Sequence, residues 1–397
     1  MKKHDYLRVG QYSQPLASTM VAGLAIALLT LSFVIAPASG GDTARLSKPP
    51  AVVQGISCFT SSICEAAGGD GDDQGVVEAV EKGVPQVPVD VSNSWYLDDV
   101  SCPSATFCMA SGTSGDSGFD NGYLQPYNMA TTAQGVVVPI HRGVPSTAVN
   151  IEGSNEFQGI DCPTTTFCIA AGYASSFTQG ATTTTTTMTT TTTTILAGQP
   201  PSVGVVVPIR NGVPGSPETV PGTLAFVGVT CSSATNCEAV GANSSGSEGA
   251  IVPITHGVPG AVTLVAGTQW LDGIACVNER ICEIVGGSTG GSTGVPSKGV
   301  VFQLTEGVAG AVRQVSLGLN GISCPSTRLC EAVGGDPQGS GYAVPIIGGV
   351  PGALALVPRI GSYGVQGINC PTTTGCEVVG TNASATLGEI VKITVKL

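Results

Sequence analysis

Beyond residue 50 the chain alternates short apolar runs with glycine- and proline-bearing turns. One block recurs as GVVEAVEKGVPQ from Gly75, GVVVPIHRGVPS from Gly135, GVVVPIRNGVPG from Gly204, GAIVPITHGVPG from Gly249, GVVFQLTEGVAG from Gly299 and GYAVPIIGGVPG from Gly341. Each holds an apolar run rich in β-branched residues, a glycine turn and a second apolar run, which is the pattern of a β-hairpin. A second block precedes each hairpin and carries two cysteines: GISCFTSSICEAAGG at 55–69, DVSCPSATFCMASGT at 99–113, GIDCPTTTFCIAAGY at 159–173, GVTCSSATNCEAVGA at 228–242, GIACVNERICEIVGG at 273–287, GISCPSTRLCEAVGG at 321–335 and GINCPTTTGCEVVGT at 367–381. The two blocks together predict four strands per unit. Strand a ends at the first cysteine, strand b begins at the second, strand c is the VVVPI run, and strand d follows GVPG, as in Ala261 to Val265.

The first cysteines are 44, 60, 69, 45, 48 and 46 residues apart. The shorter intervals set a unit of about 45 residues, the size of a four-stranded propeller blade. Apolar residues at successive positions, without strict alternation, fit sheets buried on both faces. The seventh copy stops after strand c, so a segment within Thr43 to Val53 is expected to supply the missing strand d and close a ring. The fold predicted is therefore all-β, a seven-bladed β-propeller of four-stranded blades, spanning 39–397 with a threonine-rich insertion at about 174–203.

The CEAVG strand followed by a G-VVVPI-xxG-VPG hairpin resembles the repeats of BNR and photosystem II assembly factor-like propellers. The resemblance covers about 50–397, and what it implies is a propeller. The chain departs from those repeats at the Asp-box, where x-x-G-V-P replaces S-x-D-x-G-x-x-W. The SCPSATFC stretch from Ser101 to Cys108 also resembles cysteine-paired repeats of exported actinobacterial proteins, a likeness that implies no function.

Composition adds two constraints. Hydrophobic residues make up 42% and charged residues 11%, far from the signature of disorder. The net charge is −12, and −14 without residues 1–38; such a surface repels phosphate backbones, so no nucleic-acid partner is expected. The N-terminus carries Lys2, Lys3 and Arg8, an uncharged apolar run from Met20 to Ile35, and the small-x-small pattern Ala36-Pro37-Ala38. That order marks an export signal. Residues 1–38 read either as a cleaved signal peptide or as a single N-terminal membrane anchor, and both place the remainder outside the cytoplasm.

All 14 cysteines fall in C-x5-C pairs. Zinc sites use closer spacing and further ligands. Of the three histidines, His4 precedes the signal, and His141 and His256 stand alone in c–d turns. Export and even count favour one disulfide across each a–b hairpin: Cys58–Cys64, Cys102–Cys108, Cys162–Cys168, Cys231–Cys237, Cys276–Cys282, Cys324–Cys330 and Cys370–Cys376. No catalytic residue, cofactor or metal is expected. Glu65, Glu238, Glu283, Glu331 and Glu377 follow the second cysteine and are expected to build the blade by accepting a turn N–H. Asp70, Asp72 and Asp73 read as a solvated acidic turn against a calcium loop. Trp95, Tyr96, Phe157 and Trp270, just before strand a, are candidates for a ligand face. Thr182–Thr187 and Thr189–Thr194 make an exposed tract open to O-glycosylation, and Asn243 and Asn382 match N-x-S.

The function expected is a non-enzymatic binding or scaffold protein of the cell envelope, with a protein or glycan partner. A sialidase-like carbohydrate-active enzyme and a calcium-dependent adhesin-like module are the alternatives. The a–b and c–d turns are nearly invariant, so function is expected on the opposite face, where the b–c connections at 113–134, 173–203 and 287–298 vary.

Overall fold

The computed structural model describes residues 52–115, 119–120, 123–124, 133–175, 202–288, 298–382, 384 and 387–395. Within them the cysteine blocks form seven antiparallel a–b hairpins, each extended by strand c. Strands a are Val52–Thr60, Tyr96–Ser104, Glu156–Thr164, Thr223–Cys231, Thr268–Asn278, Gly318–Ser326 and Ile360–Thr372. Strands b are Ile63–Gly69, Phe107–Thr113, Phe167–Ser175, Asn236–Asn243, Ile281–Ser288, Leu329–Gly335 and Gly375–Asn382. Strands c are Gly75–Glu81, Gly135–His141, Ser202–Arg210, Gly249–Thr255, Gly299–Thr305, Gly341–Ile347 and Gly388–Thr394.

Strand d is not the single run expected. In blades 1 to 6 it is split into the turn-proximal pair of the GVP motif and a second short piece, as in Val258–Pro259 and Thr263–Val265, both paired with strand c. The split is the same whether strand c carries a proline there, as in blades 2, 3, 4 and 6, or Ala79 or Gln303, as in blades 1 and 5. In each case the carbonyl at that position accepts from the residue after the turn, as in Gly260 N to Pro253 O at 2.7 Å and Gln86 N to Ala79 O at 2.8 Å. The c–d turn itself has two successive residues of positive φ, for example Arg142 at 53° and Gly143 at 74°. This is the type I′ geometry that suits the twist of a hairpin.

The seven blades close into a ring. Each strand a packs beside the next, and strand a of blade 7 returns to strand a of blade 1. Seven apolar clusters fill the seams, from Ala67, Val77, Val100 and Val138 between blades 1 and 2 to Val53, Ala66, Val80 and Val379 between blades 7 and 1. The sheet of blade 7 has three strands among the described residues. Of the expected closing segment, Val52 and Val53 belong to strand a of blade 1; residues 43–51 lie outside the described residues, as do the N-terminal signal or anchor and the threonine tract. Among the described residues no helix is long and apolar enough to cross a membrane.

All seven expected disulfides are present, with Cα atoms 3.9–4.1 Å apart and no free cysteine. Such a full set of bridges belongs to an oxidising, extracytoplasmic compartment.

Candidate functional site

One bulge is common to every strand a. Two residues of strand a face one of strand b between Val53/Gly55, Leu97/Asp99, Phe157/Gly159, Phe226/Gly228, Leu271/Gly273, Leu319/Gly321 and Val365/Gly367. The extra residues are Gln54, Asp98, Gln158, Val227, Asp272, Asn320 and Gln366, all half-buried, at one level of the wall around the central channel. Opposite the bulge, strand b must carry glycine. A Cβ on Gly172 would overlap the carbonyl oxygen of Glu156, and the same holds for Gly68, Gly112, Gly241, Gly286 and Gly334 against their own strands a. This close approach is the reason for the glycine in the CEAVG motif.

The residue after the bulge is glycine in six blades, where the next strand a leaves no room; a Cβ on Gly367 would overlap the carbonyl oxygen of Gln54. Blade 2 has Asp99 instead. Its carboxylate accepts from Val100 N at 2.8 Å and, across the seam, from Ile160 N at 3.0 Å. A further staple precedes the first cysteine. Ser57 Oγ accepts from Cys102 N, Ser101 Oγ from Cys162 N, and Ser323 Oγ from Cys370 N, each at 3.0 Å, while Asp161 Oδ2 accepts from Cys231 N at 2.6 Å.

The seam between blades 2 and 3 is therefore unusually acidic. Asp98 is hydrogen-bonded to Glu156 of the next blade, and burial, followed by the Glu156 charge, raises its carboxyl well above the ordinary range. Tyr173 OH donates to Glu156 Oε2 at 3.2 Å. Asp98 Oδ2 is buried and accepts no hydrogen bond. Burial pushes Asp99 up to about 7 against the pull of its two N–H donors, and raises Asp161 also. In blade 5 burial alone lifts Asp272 to about 7. Arg142 and Arg210, at the end of strand c, and Arg328, in an a–b turn, lie at the opposite end of the blades from this pair. Arg210 there donates to His256 O at 3.0 Å and stacks over Phe167. Among the described residues no arginine cluster of the kind sialidase-like chemistry needs forms around the acids.

The other candidates divide. Trp95 is exposed at the d–a corner of blade 2, and its N–H donates to Thr113 O. Tyr96 lies over Gly69 of blade 1, and Trp270 reaches the b–c turn of blade 4 at Gly246. Phe157 is different from the expectation. It is fully buried, packed with Met109, Val137 and Ile160, and offers no surface to a ligand. It stands one residue closer to the first cysteine than Tyr96 and Trp270, and one step along a strand turns a side chain to the other face.

The recurrent glutamates are not a solvent-facing circle. Glu65, Glu283, Glu331 and Glu377 are buried. Glu283 accepts from Gln303 Nε2 at 2.8 Å and lies beside Gly349 in the next blade's c–d turn. One oxygen each of Glu65, Glu283, Glu331 and Glu377 is buried with no hydrogen-bond partner, so the expected turn N–H bond is not made there. Lys392 lies 3.4 Å from Glu377 and lowers its carboxyl in part, but burial, the larger effect, leaves it raised. Elsewhere burial pushes the carboxyls up, Glu238 to about 7 and Glu331 to about 8. Asp70 is largely buried, and its Oδ1 accepts from Asp72 N at 2.7 Å and Gln74 N at 3.2 Å. Asp336 and Asn243 cap their b–c turns in the same way. That is a local turn device. Among the described residues no group of three His, Cys, Asp or Glu is arranged to hold a metal.

On the face of the b–c and d–a connections, blades 1 to 3 share a polar network. Asn93 Nδ2 donates to Asn150 Oδ1 at 2.8 Å, Asn150 Nδ2 to Gln134 Oε1 at 2.9 Å, and Ser175 N to Asn155 Oδ1 at 2.7 Å. The connection in blade 2 also carries a small ladder, Phe119–Asp120 with Tyr123–Leu124.

This is a seven-bladed β-propeller. The WD40 propeller domain of Doa1 is similar, with a TM-score of 0.55 and 8% identity over 89% of this chain and 95% of that one. The Neurospora crassa Pan2 WD40 domain (TM-score 0.53, 9% identity, 88% and 90% covered) and the Myceliophteria thermophila Cps50 (Swd1) propeller domain (0.53, 9%, 87% and 96%) are similar too. At such identities the likeness shows the fold alone. No family model and no curated protein sequence matches the chain. The propeller implied by the BNR-like repeats is present, while these three neighbours are WD40 propellers or a related propeller domain.

Proposed function

We propose that the chain is a non-enzymatic, exported scaffold that binds a protein or glycan of the cell envelope through the face of its b–c and d–a connections. The observation that carries this reading is the contrast between the two ends of the blades. At one end seven disulfides, five GVP turns and one GVA turn repeat with little variation. At the other, blades 1 to 3 bring together exposed Trp95, half-buried Tyr96 and the Asn93–Asn150–Gln134 network, beside the two longest b–c connections. Binding surfaces are commonly built from variable loops on a rigid frame, and an exposed aromatic next to amide groups suits a peptide or a sugar ring.

The experiment uses the soluble 39–397 chain as bait for envelope components. The short GGDPQGSG turn of 334–341 is then grafted into each of the three long b–c connections, with Trp95→Ala added. Each change on this face is expected to weaken capture of the same partner by about tenfold where it removes a contact worth about 1.4 kcal/mol. Undiminished affinity after all three grafts and Trp95→Ala sinks the placement. The carbohydrate-active alternative has the Asp98–Glu156 acid pair in its favour. It requires hydrolysis of a glycan substrate that Glu156→Gln abolishes.

A further inference from the structure

Asp98 and Glu156 come from different blades and are joined carboxyl to carboxyl. Two carboxylates cannot hydrogen-bond to each other; one must carry a proton. We propose that this pair is a proton-operated clasp between blades 2 and 3, closed when the two groups share a proton and opened when both ionise. The inference stands on the carboxyl contact and does not depend on the binding reading above.

The surroundings hold the proton in place. Within reach, strand a of blade 2 contributes Asp99, whose charge repels that of Asp98, and Asp161 of blade 3 in turn repels Asp99. Tyr173 of strand b in blade 3 donates its hydroxyl to Glu156. Strand b of blade 2 and strand a of blade 4 carry no charged residue. No Lys or Arg therefore stands in these strands to compensate a second negative charge. Loss of the shared proton would leave Asp98 Oδ2, already without a hydrogen bond, as part of an anion facing a second anion in an enclosed site.

The sign is that of raised carboxyls. The folded state holds the proton more tightly than the unfolded chain, so the clasp strengthens the seam in acid and loses that contribution as pH rises. The seam supports the corners that carry Trp95 and Asn155, so its opening would reshape that face.

Hydrogen exchange of the whole 39–397 chain, followed from pH 5.5 to 8.5 and corrected for intrinsic rates, tests the clasp. Protection of 156–164 and 96–104 is expected to fall by about tenfold or more. Inner strands 318–326 and 223–231 serve as references and should change less. Glu156→Gln keeps a hydrogen-bond donor without a titrating proton, and it is expected to remove the local pH response while the reference strands behave as in the parent. Asp272→Asn, at the equivalent bulge of blade 5, should leave the response intact. Equal protection of 156–164 at both pH values in the parent chain overturns the proposal, whether or not the variants fold. So does an undiminished local response in Glu156→Gln.

Discussion

Reduction of the seven disulfides is expected to unfold the propeller. Each bridge spans six positions of sequence. Closing so short a loop stabilises by about 2 kcal/mol through the unfolded chain, so the set contributes roughly 10–15 kcal/mol before native strain is discounted. That equals or exceeds the net stability of an ordinary domain, about 5–15 kcal/mol. The inter-blade bonds from Cys102, Cys162, Cys231 and Cys370 backbone N–H groups depend on the hairpin tips keeping their geometry, which couples local bridges to the ring. The measurement is circular dichroism and thermal melting after reduction, with thiol counting to prove that all bridges are open. A fully reduced chain that melts within a few degrees of the oxidised one would show that the bridges contribute little.

The second large effect is a gain. Blade 1 has Glu78 where the equivalent strand-c positions hold Val138, Val207, Val252, Phe302, Val344 and Val391. In the ladder Glu78 faces Ala66, and with Ala66 and Val80 it shares the side of the sheet that packs on Val379 and Ile390 of blade 7. The closing seam of the ring thus contains a buried carboxyl. Burial pushes Glu78 up to about 7, and Glu65 is raised to about 7 by burial and then by the Glu78 charge. A raised carboxyl favours the folded state fully below its ordinary value of 4.5 and loses that advantage as pH climbs through 7. For Glu78 the loss is about 3 kcal/mol. Glu78→Val is therefore expected to stabilise the protein by about 3 kcal/mol at pH 8 and by much less at pH 5, read from denaturant midpoints. A valine variant less stable than the parent at pH 8 would mean that Glu78 makes a compensating bond.

Much of this architecture was legible in the sequence because it repeats. Seven C-x5-C pairs and six VVVPI-xxGVPG hairpins give blade number, strand order and disulfide pairing, since a cross-strand pair needs only local spacing. The split of strand d was not read, because it occurs alike in blades with a proline in strand c and in blades 1 and 5, which have Ala79 and Gln303 there. The bulge was hidden because it is a matter of register, visible only once strands a and b are paired. Phe157 occupies the inward position of Leu97 and Leu271, just before the bulge, while Tyr96 and Trp270 stand one residue earlier at the corner. Asp99 left a trace, as the lone aspartate in a column of glycines three residues before the first cysteine. The Asp98–Glu156 pair left none, because its members belong to different repeats and meet only when the ring forms. The glutamate after the second cysteine repeats because it meets a turn of the next blade, as Glu283 meets Gly349.

The binding face is tested most directly by site-specific photocrosslinking in envelope preparations. A photoreactive phenylalanine analogue is placed at Trp95 on the variable face, or at Val213 or Val258 in the GVP turns of the opposite face, all exposed positions. One recurrent envelope adduct is expected from position 95, competed by unlabelled 39–397 chain, and none from 213 or 258. The same adduct from the GVP positions, with none from 95, would contradict that expectation.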